Sequence, residues 1–150
     1  MRLCVDWGKA RIGVAACDRD GLLAYPVETV ANNDAAVRRL AQLAQEYEPI
    51  EIVLGMPTDL RGRQGVAATA MLAVADRLGA ALHLDVRLVD ERLSTASAAK
   101  QLAVTGHTSR TRRSIIDQAA AVAILEQAIE VEKRTGRPAG NLNSAGRQGV

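Results

Sequence analysis

Apolar residues in this chain switch spacing near Asp34, and that switch restricts the fold more than any other feature. Ahead of it, short runs read as strands: Leu3 to Asp6, Ile12 to Ala16 after a tight Gly8-Lys9-Ala10 connection, and Ala24 to Val30. Turn residues at Asp18 to Gly21 and Ala31 to Asp34 bound them. Connections this short leave no room for a crossover, so the three strands form an antiparallel meander. Beyond Asp34 the spacing is helical. Ala36, Val37, Leu40, Ala41, Leu43 and Ala44 share a face up to Tyr47, with Asp34 as the expected N-cap. Then come a strand at Ile50 to Leu54, a helix at Ala67 to Leu78 stopped by Gly79, and a strand at Leu84 to Val89. A short helix capped by Ser94 or Thr95 runs to about Val104, and a long one from Ser114 to about Arg134 ends at Gly136 and Pro138.

Helical crossovers make the later strands parallel. The expectation is an α/β domain over residues 1–137. It has a five-stranded mixed sheet, a three-strand antiparallel meander plus two parallel strands, with helices on both faces. Residues 138–150 are Gly, Asn, Ser and Arg with few apolar groups and read as a disordered tail.

A chain of 150 residues buries a core without staples. Aromatics are 2% with no Phe, so Val, Leu, Ile and Ala must fill that core, and Trp7 stands out. Cys4 and Cys17 have no further Cys to complete a metal motif and read as buried reduced thiols of a cytoplasmic protein. The chain opens with no charged-then-apolar leader, and no apolar run is long enough to span a membrane. The net charge of +2 decides nothing about nucleic acid, because distribution matters more than sum. Of the 19 basic residues only Lys9, Lys100 and Lys133 are Lys, and the other 16 are Arg, which can grip phosphate through two hydrogen bonds at once.

Three acids carry the functional reading. Asp6 ends an apolar strand, where a carboxylate must be paired or desolvated; a turn-starting Asp is the plainer explanation. Glu91 follows the strand Val86 to Val89, at the carboxyl end where open sheets bind ligands; an ordinary loop acid paired with Arg92 is the plainer one. Asp117 says most. Helical spacing puts it on the face of Ala121, Ile124 and Ala128, opposite Glu126, Glu130 and Lys133, so it points at the sheet and needs a partner. Three carboxylates make an all-oxygen site suited to Mg²⁺ or Mn²⁺ rather than Zn²⁺, and His83 and His107 lack ligand spacing. Two such ions can activate water and stabilise the leaving oxygen in phosphodiester cleavage.

Basic groups surround these acids. Lys9 and Arg11 flank Asp6; Arg61 and Arg63 lie in a glycine-bounded loop; Arg92 adjoins Glu91; Arg110, Arg112 and Arg113 precede Asp117. All are candidate phosphate contacts. Gly8 and Gly13 permit close backbone approach or simply shape a turn.

Four segments together resemble the YqgF/RuvX family, whose members are named as Holliday-junction resolvases or pre-16S rRNA nucleases. They are Asp6-Trp7-Gly8-Lys9-Ala10-Arg11-Ile12-Gly13-Val14-Ala15, Ile52-Val53-Leu54-Gly55-Met56-Pro57 followed by Gly62, Asp90-Glu91-Arg92-Leu93-Ser94-Thr95, and Ile116-Asp117-Gln118-Ala119-Ala120-Ala121 with Ile124-Leu125. They run in family order from Met1 to about Lys133. The resemblance implies a ribonuclease-H-like fold and metal-dependent endonuclease chemistry. Asp6, Glu91 and Asp117 become the catalytic and metal-binding acids, and precursor 16S rRNA is the substrate, matured at its 5′ end. Trp7 stands where the family usually has Phe or Tyr, which preserves stacking on a base or sugar. The alternative substrate is a four-way DNA junction, whose two-fold symmetry favours a homodimer over a monomer. Two other readings are weaker. Actin-like kinases share the phosphate-loop pattern but need two such domains, and a pure nucleic-acid binder gains nothing from acids beside phosphate.

Overall fold

Among the described residues, six strands form one sheet in the order β3-β2-β1-β4-β5-β6. The structure, a computed structural model, describes residues 1–18, 21, 23–57, 66–91 and 110–143, with the backbone alone for residues 66, 67 and 110–114. β1 (Leu3–Trp7), β2 (Arg11–Cys17) and β3 (Ala24–Ala31) are the expected meander, antiparallel throughout. β4 (Ile52–Met56) pairs parallel with β1, and β5 (Val86–Asp90) parallel with β4. Helices α1 (Ala36–Tyr47) and α2 (Val66–Leu82) cover one face, and α3 (Arg110–Thr135) the other. The expected short helix at Ser94 to Val104 lies outside the described residues.

Strand alternation sorts the core into two halves. Leu3, Val5, Ile12, Val14 and Ile52 pack with Leu40 and Leu43 of α1 and Val74 and Leu78 of α2. Cys4, Ala15, Cys17, Val53 and Val89 pack with Ala121, Ile124, Leu125 and Ala128 of α3. Both cysteines are buried, free thiols, as expected. With no Phe available, the α3 side of this interface is built from Ala120, Ala121 and Ala128 together with Ile124, Leu125 and Ile129.

Three expectations are corrected. Asp34 is not the N-cap of α1: Ala35 holds that position without a side-chain cap, and its N–H instead donates to Oδ1 of Asn33 at 2.9 Å, an Asx turn one residue earlier. Gly79 does not stop α2, which continues to Leu82 before His83 turns into the left-handed region at φ 56°. A helical glycine costs about 1 kcal/mol against alanine, less than the burial of Leu78 beside it returns.

The third correction concerns the sheet, which has six strands rather than five. β6 (Asn141–Asn143) pairs antiparallel with β5, inside the stretch expected to be tail. A charged cluster explains its docking. Arg2 and Arg87 both donate through Nε to Oε1 of Glu51 at 2.7 Å, and Arg2 also pairs with Glu132 of α3 at 2.9 Å. Arg87 Nη1 then donates to the carbonyl of Ala139 at 3.1 Å, which fastens the returning chain beside β5. This cluster sits at the amino ends of β1 and β4, at the opposite end of the sheet from the three acids.

Candidate active site

The row of residues across the sheet at Asp6 organises the site. Asp6 of β1 stands opposite Gly13 of β2, which stands opposite Thr29 of β3. Facing pairs on neighbouring strands point to the same side, and the pattern set by Cys4 and Ala15 makes that side the α3 face. Asp6 is only 3% exposed there, a carboxylate carried into an otherwise apolar layer. Burial pushes the Cys4 thiol well above its usual pKa, with the charges of Asp6 and Cys17 adding to the shift, so it stays protonated.

Glycines let α3 and Glu91 close in. A methyl group at Gly13 would run into the backbone carbonyl of Asp117, so the helix rests directly on the strand. Gln118 Nε2 donates to Thr29 Oγ1 at 3.1 Å and ties the same turn to the edge of the meander. On β4, between β1 and β5, stands Gly55, where a methyl would lie 3.4 Å from Glu91 Oε2 and 2.7 Å from Ile124 Cδ1. Glu91 follows β5 directly, and its carboxylate folds back over the gap the missing side chain leaves. Asp6 and Glu91 thus lie at the carboxyl ends of parallel strands, on one face, with Asp117 above them on α3. Helical spacing predicted this face correctly: Ala121 and Ile124 are fully buried and Ala128 nearly so, while Glu126, Glu130 and Lys133 are exposed.

The donor chemistry fits a hard divalent cation: three carboxylates, no imidazole or thiolate among them, and a cradle at Gly55 that a methyl would crowd. The set is not closed, however. Among the described residues no three His, Cys, Asp or Glu side chains stand close enough to hold an ion. Arg11 Nε donates to Asp117 Oδ2 at 2.7 Å, so that carboxylate already has a cationic partner.

The other predicted contacts distribute unevenly. Arg11 pairs with Asp117 while part of its side chain stays exposed. Lys9 is exposed in the β1–β2 turn, which the Gly8 N–H closes by donating to the Arg11 carbonyl at 3.0 Å. Trp7 alternates to the opposite face and packs against the α1 and α2 core, so the structure does not bring it to the acids. Arg110, Arg112 and Arg113 form the first turn of α3. Arg61, Arg63 and Arg92 lie outside the described residues, as does His107; His83 is exposed at the end of α2. Gly55, Thr29 and Gln118 escaped sequence reasoning as parts of the site. Only the segments around Gly55 and Gln118 carried a signal, through the family resemblance.

Residues 1–131 match the family described as RuvX: Holliday junction resolvase. The chain belongs to that family. Among its relatives is a protein of Streptomyces avermitilis named "Putative pre-16S rRNA nuclease", 54% identical over 142 residues that cover 93% of this chain and 91% of the relative. A protein of the same name in Cutibacterium acnes is 50% identical over 131 residues, 87% of this chain and 82% of the relative. Among solved structures, RuvC of Thermus thermophilus in complex with Holliday junction substrate aligns with a TM-score of 0.50 at 16% identity, covering 92% of this chain and 97% of that one. That likeness concerns the fold, which is ribonuclease-H-like: a mixed sheet flanked by helices. This RuvX chain is therefore a member of a nuclease family, and among its described residues no helix is long and apolar enough to cross a membrane.

Proposed function

We propose that this RuvX protein is a metal-dependent endonuclease that hydrolyses phosphodiester bonds in the 5′-end maturation of precursor 16S rRNA. The observation that supports this reading is that Asp6, Glu91 and Asp117 lie on the same side of the sheet, two of them at the carboxyl ends of parallel strands. The relatives' shared name, at about half identity over most of their length, supports the RNA substrate.

Each acid has a distinct task. Asp6, held by a strand inside a buried layer, is the rigid donor, with little freedom to lose on binding a cation. Glu91 folds over Gly55 on the same side of the sheet. Asp117 contributes from a helix whose position Gly13 and Gln118 fix. These acids would hold Mg²⁺ or Mn²⁺, which when bound would supply the positive charge that makes water a nucleophile at neutral pH and offsets charge on the leaving oxygen. Lys9, close to Asp6 in sequence, and the arginines that precede Asp117 in sequence are the proposed contacts for phosphates on either side of the scissile bond. The cytoplasm, where ribosomes are assembled, is the matching compartment.

The family description favours a second reading, cleavage of four-way DNA junctions by a homodimer. Purified protein assayed on a precursor rRNA 5′ end and on a four-way junction, with and without Mn²⁺, separates the two. Mn²⁺-dependent cleavage of the RNA alone supports the first reading, and cleavage of the junction alone replaces it with the second.

A further inference from the structure

We propose that Arg11 is a built-in counter-ion that competes with the divalent cation for Asp117 and so sets how tightly this protein holds metal. The inference rests on the metal-dependent reading above. The Arg11–Asp117 contact joins residues 106 apart in sequence, at 2.7 Å, with the Asp117 side chain only 18% exposed. Its partners cannot simply drift apart. The α3 backbone at Asp117 is seated on Gly13, two residues along β2 from Arg11, and the next residue, Gln118, is bonded to Thr29.

Asp117 therefore changes its surroundings by turning its side chain, not by moving its helix. An unpaired carboxylate here would be left without a partner in a largely desolvated position, with its side chain only 18% exposed, which costs stability. Arg11 removes that cost while no metal is bound. A cation that takes Asp117 as a ligand must displace the guanidinium or sit beside its charge, and either lowers affinity. Arg11 remains 37% exposed on its side chain, so it has room to swing out once released. Freed beside Lys9, it adds to the positive rim of the site. A purely orienting role would have the opposite sign, because a ligand held in place binds metal better than a loose one. Displacing a guanidinium that already holds Asp117 costs more than the rotamer freedom of one Asp side chain.

Mn²⁺ titration by calorimetry on the metal-free full chain, with no substrate present, tests this. Arg11→Gln is expected to bind Mn²⁺ roughly tenfold more tightly than the parent protein, the size of a typical coupling between charged sites. Arg11→Lys, which keeps the charge, is expected to bind close to the parent. In the unmodified protein, where folding is not at issue, the Arg11 Nε–H resonance should shift as Mg²⁺ is added. Equal or weaker Mn²⁺ binding by Arg11→Gln, or an unmoved Arg11 resonance at saturating Mg²⁺, overturns the proposal while leaving the nuclease reading intact. A parent protein that binds no Mn²⁺ at all overturns both.

Discussion

The backbone carbonyl of Asp117 rests where a side chain on Gly13 would have to be. A helix acid is thereby held above a strand acid, since Gly13 is the cross-strand partner of Asp6. Gly13→Ala is expected to push α3 off the sheet. The obstruction is backbone, which cannot rotate away, so stability should fall by about 3 kcal/mol and cleavage should fall with it. Urea denaturation and a cleavage assay on the same sample check both effects.

Gly55 gives a different outcome because its neighbours are side chains. A methyl there meets Ile124 Cδ1, the far end of a flexible side chain, and Glu91 Oε2. Ile124 can repack, whereas Glu91 loses the space it folds into. Gly55→Ala should therefore cost about 1 kcal/mol of stability yet reduce cleavage far more than Tm, a separation that thermal melting and steady-state rates would reveal.

Glu51 anchors the end of the sheet away from the acids. Removing it leaves Arg2 and Arg87 close together with their shared carboxylate gone. Glu51→Ala should destabilise the fold by roughly 3 kcal/mol, since breaking a buried ion pair strands the remaining charge. Hydrogen exchange should show the amides of β6 opening early, because Arg87 also holds the Ala139 carbonyl. Unchanged protection of β6 would contradict that tether.

Glu28 provides a pH signature. Arg39 grips its carboxylate with two hydrogen bonds, at 2.6 and 2.8 Å, and holds its pKa below the usual value near 4.5 against an opposing contribution from burial. A lowered folded-state pKa stabilises the protein above the unfolded value and loses that contribution as pH falls through the folded one. The contribution is small, because both side chains are about a third exposed or more. Glu28→Gln should melt slightly lower than the parent at pH 7, and the difference should shrink and vanish as pH falls below the usual carboxylate value and through the lowered folded one. Tm measured across that range checks the sign.

Much of this was legible in the residues themselves. The switch of apolar spacing near Asp34 specified the meander, the parallel strands and the two helical layers, because strand and helix periods are set by local geometry. The inward face of α3 followed from the same spacing, and with it the direction of Asp117. Contacts distant in sequence were not legible. Nothing local connects Arg11 to Asp117, or Arg87 to Ala139, and each of those contacts redirected an expectation: one about a phosphate ligand, the other about a tail. Trp7 shows a further limit. Its aromatic ring beside Asp6 suggested stacking on substrate, yet adjacent strand residues face opposite sides, and the core on that side took the ring. Glycines mislead in a similar way, since Gly13 and Gly55 matter for what approaches them from elsewhere in the fold.

The central claim is that Asp6, Glu91 and Asp117 act together on a phosphodiester through a divalent cation. Its most direct test is Mn²⁺-dependent cleavage of an RNA carrying the precursor 16S 5′ flank, with Asp6→Asn, Glu91→Gln and Asp117→Asn each compared to the parent. Each variant should keep the parent's circular dichroism spectrum and lose about a thousandfold or more in rate, on the order of 4 kcal/mol of transition-state stabilisation. A folded variant that cleaves at the parent's rate would remove that carboxylate from the chemistry and contradict the shared site.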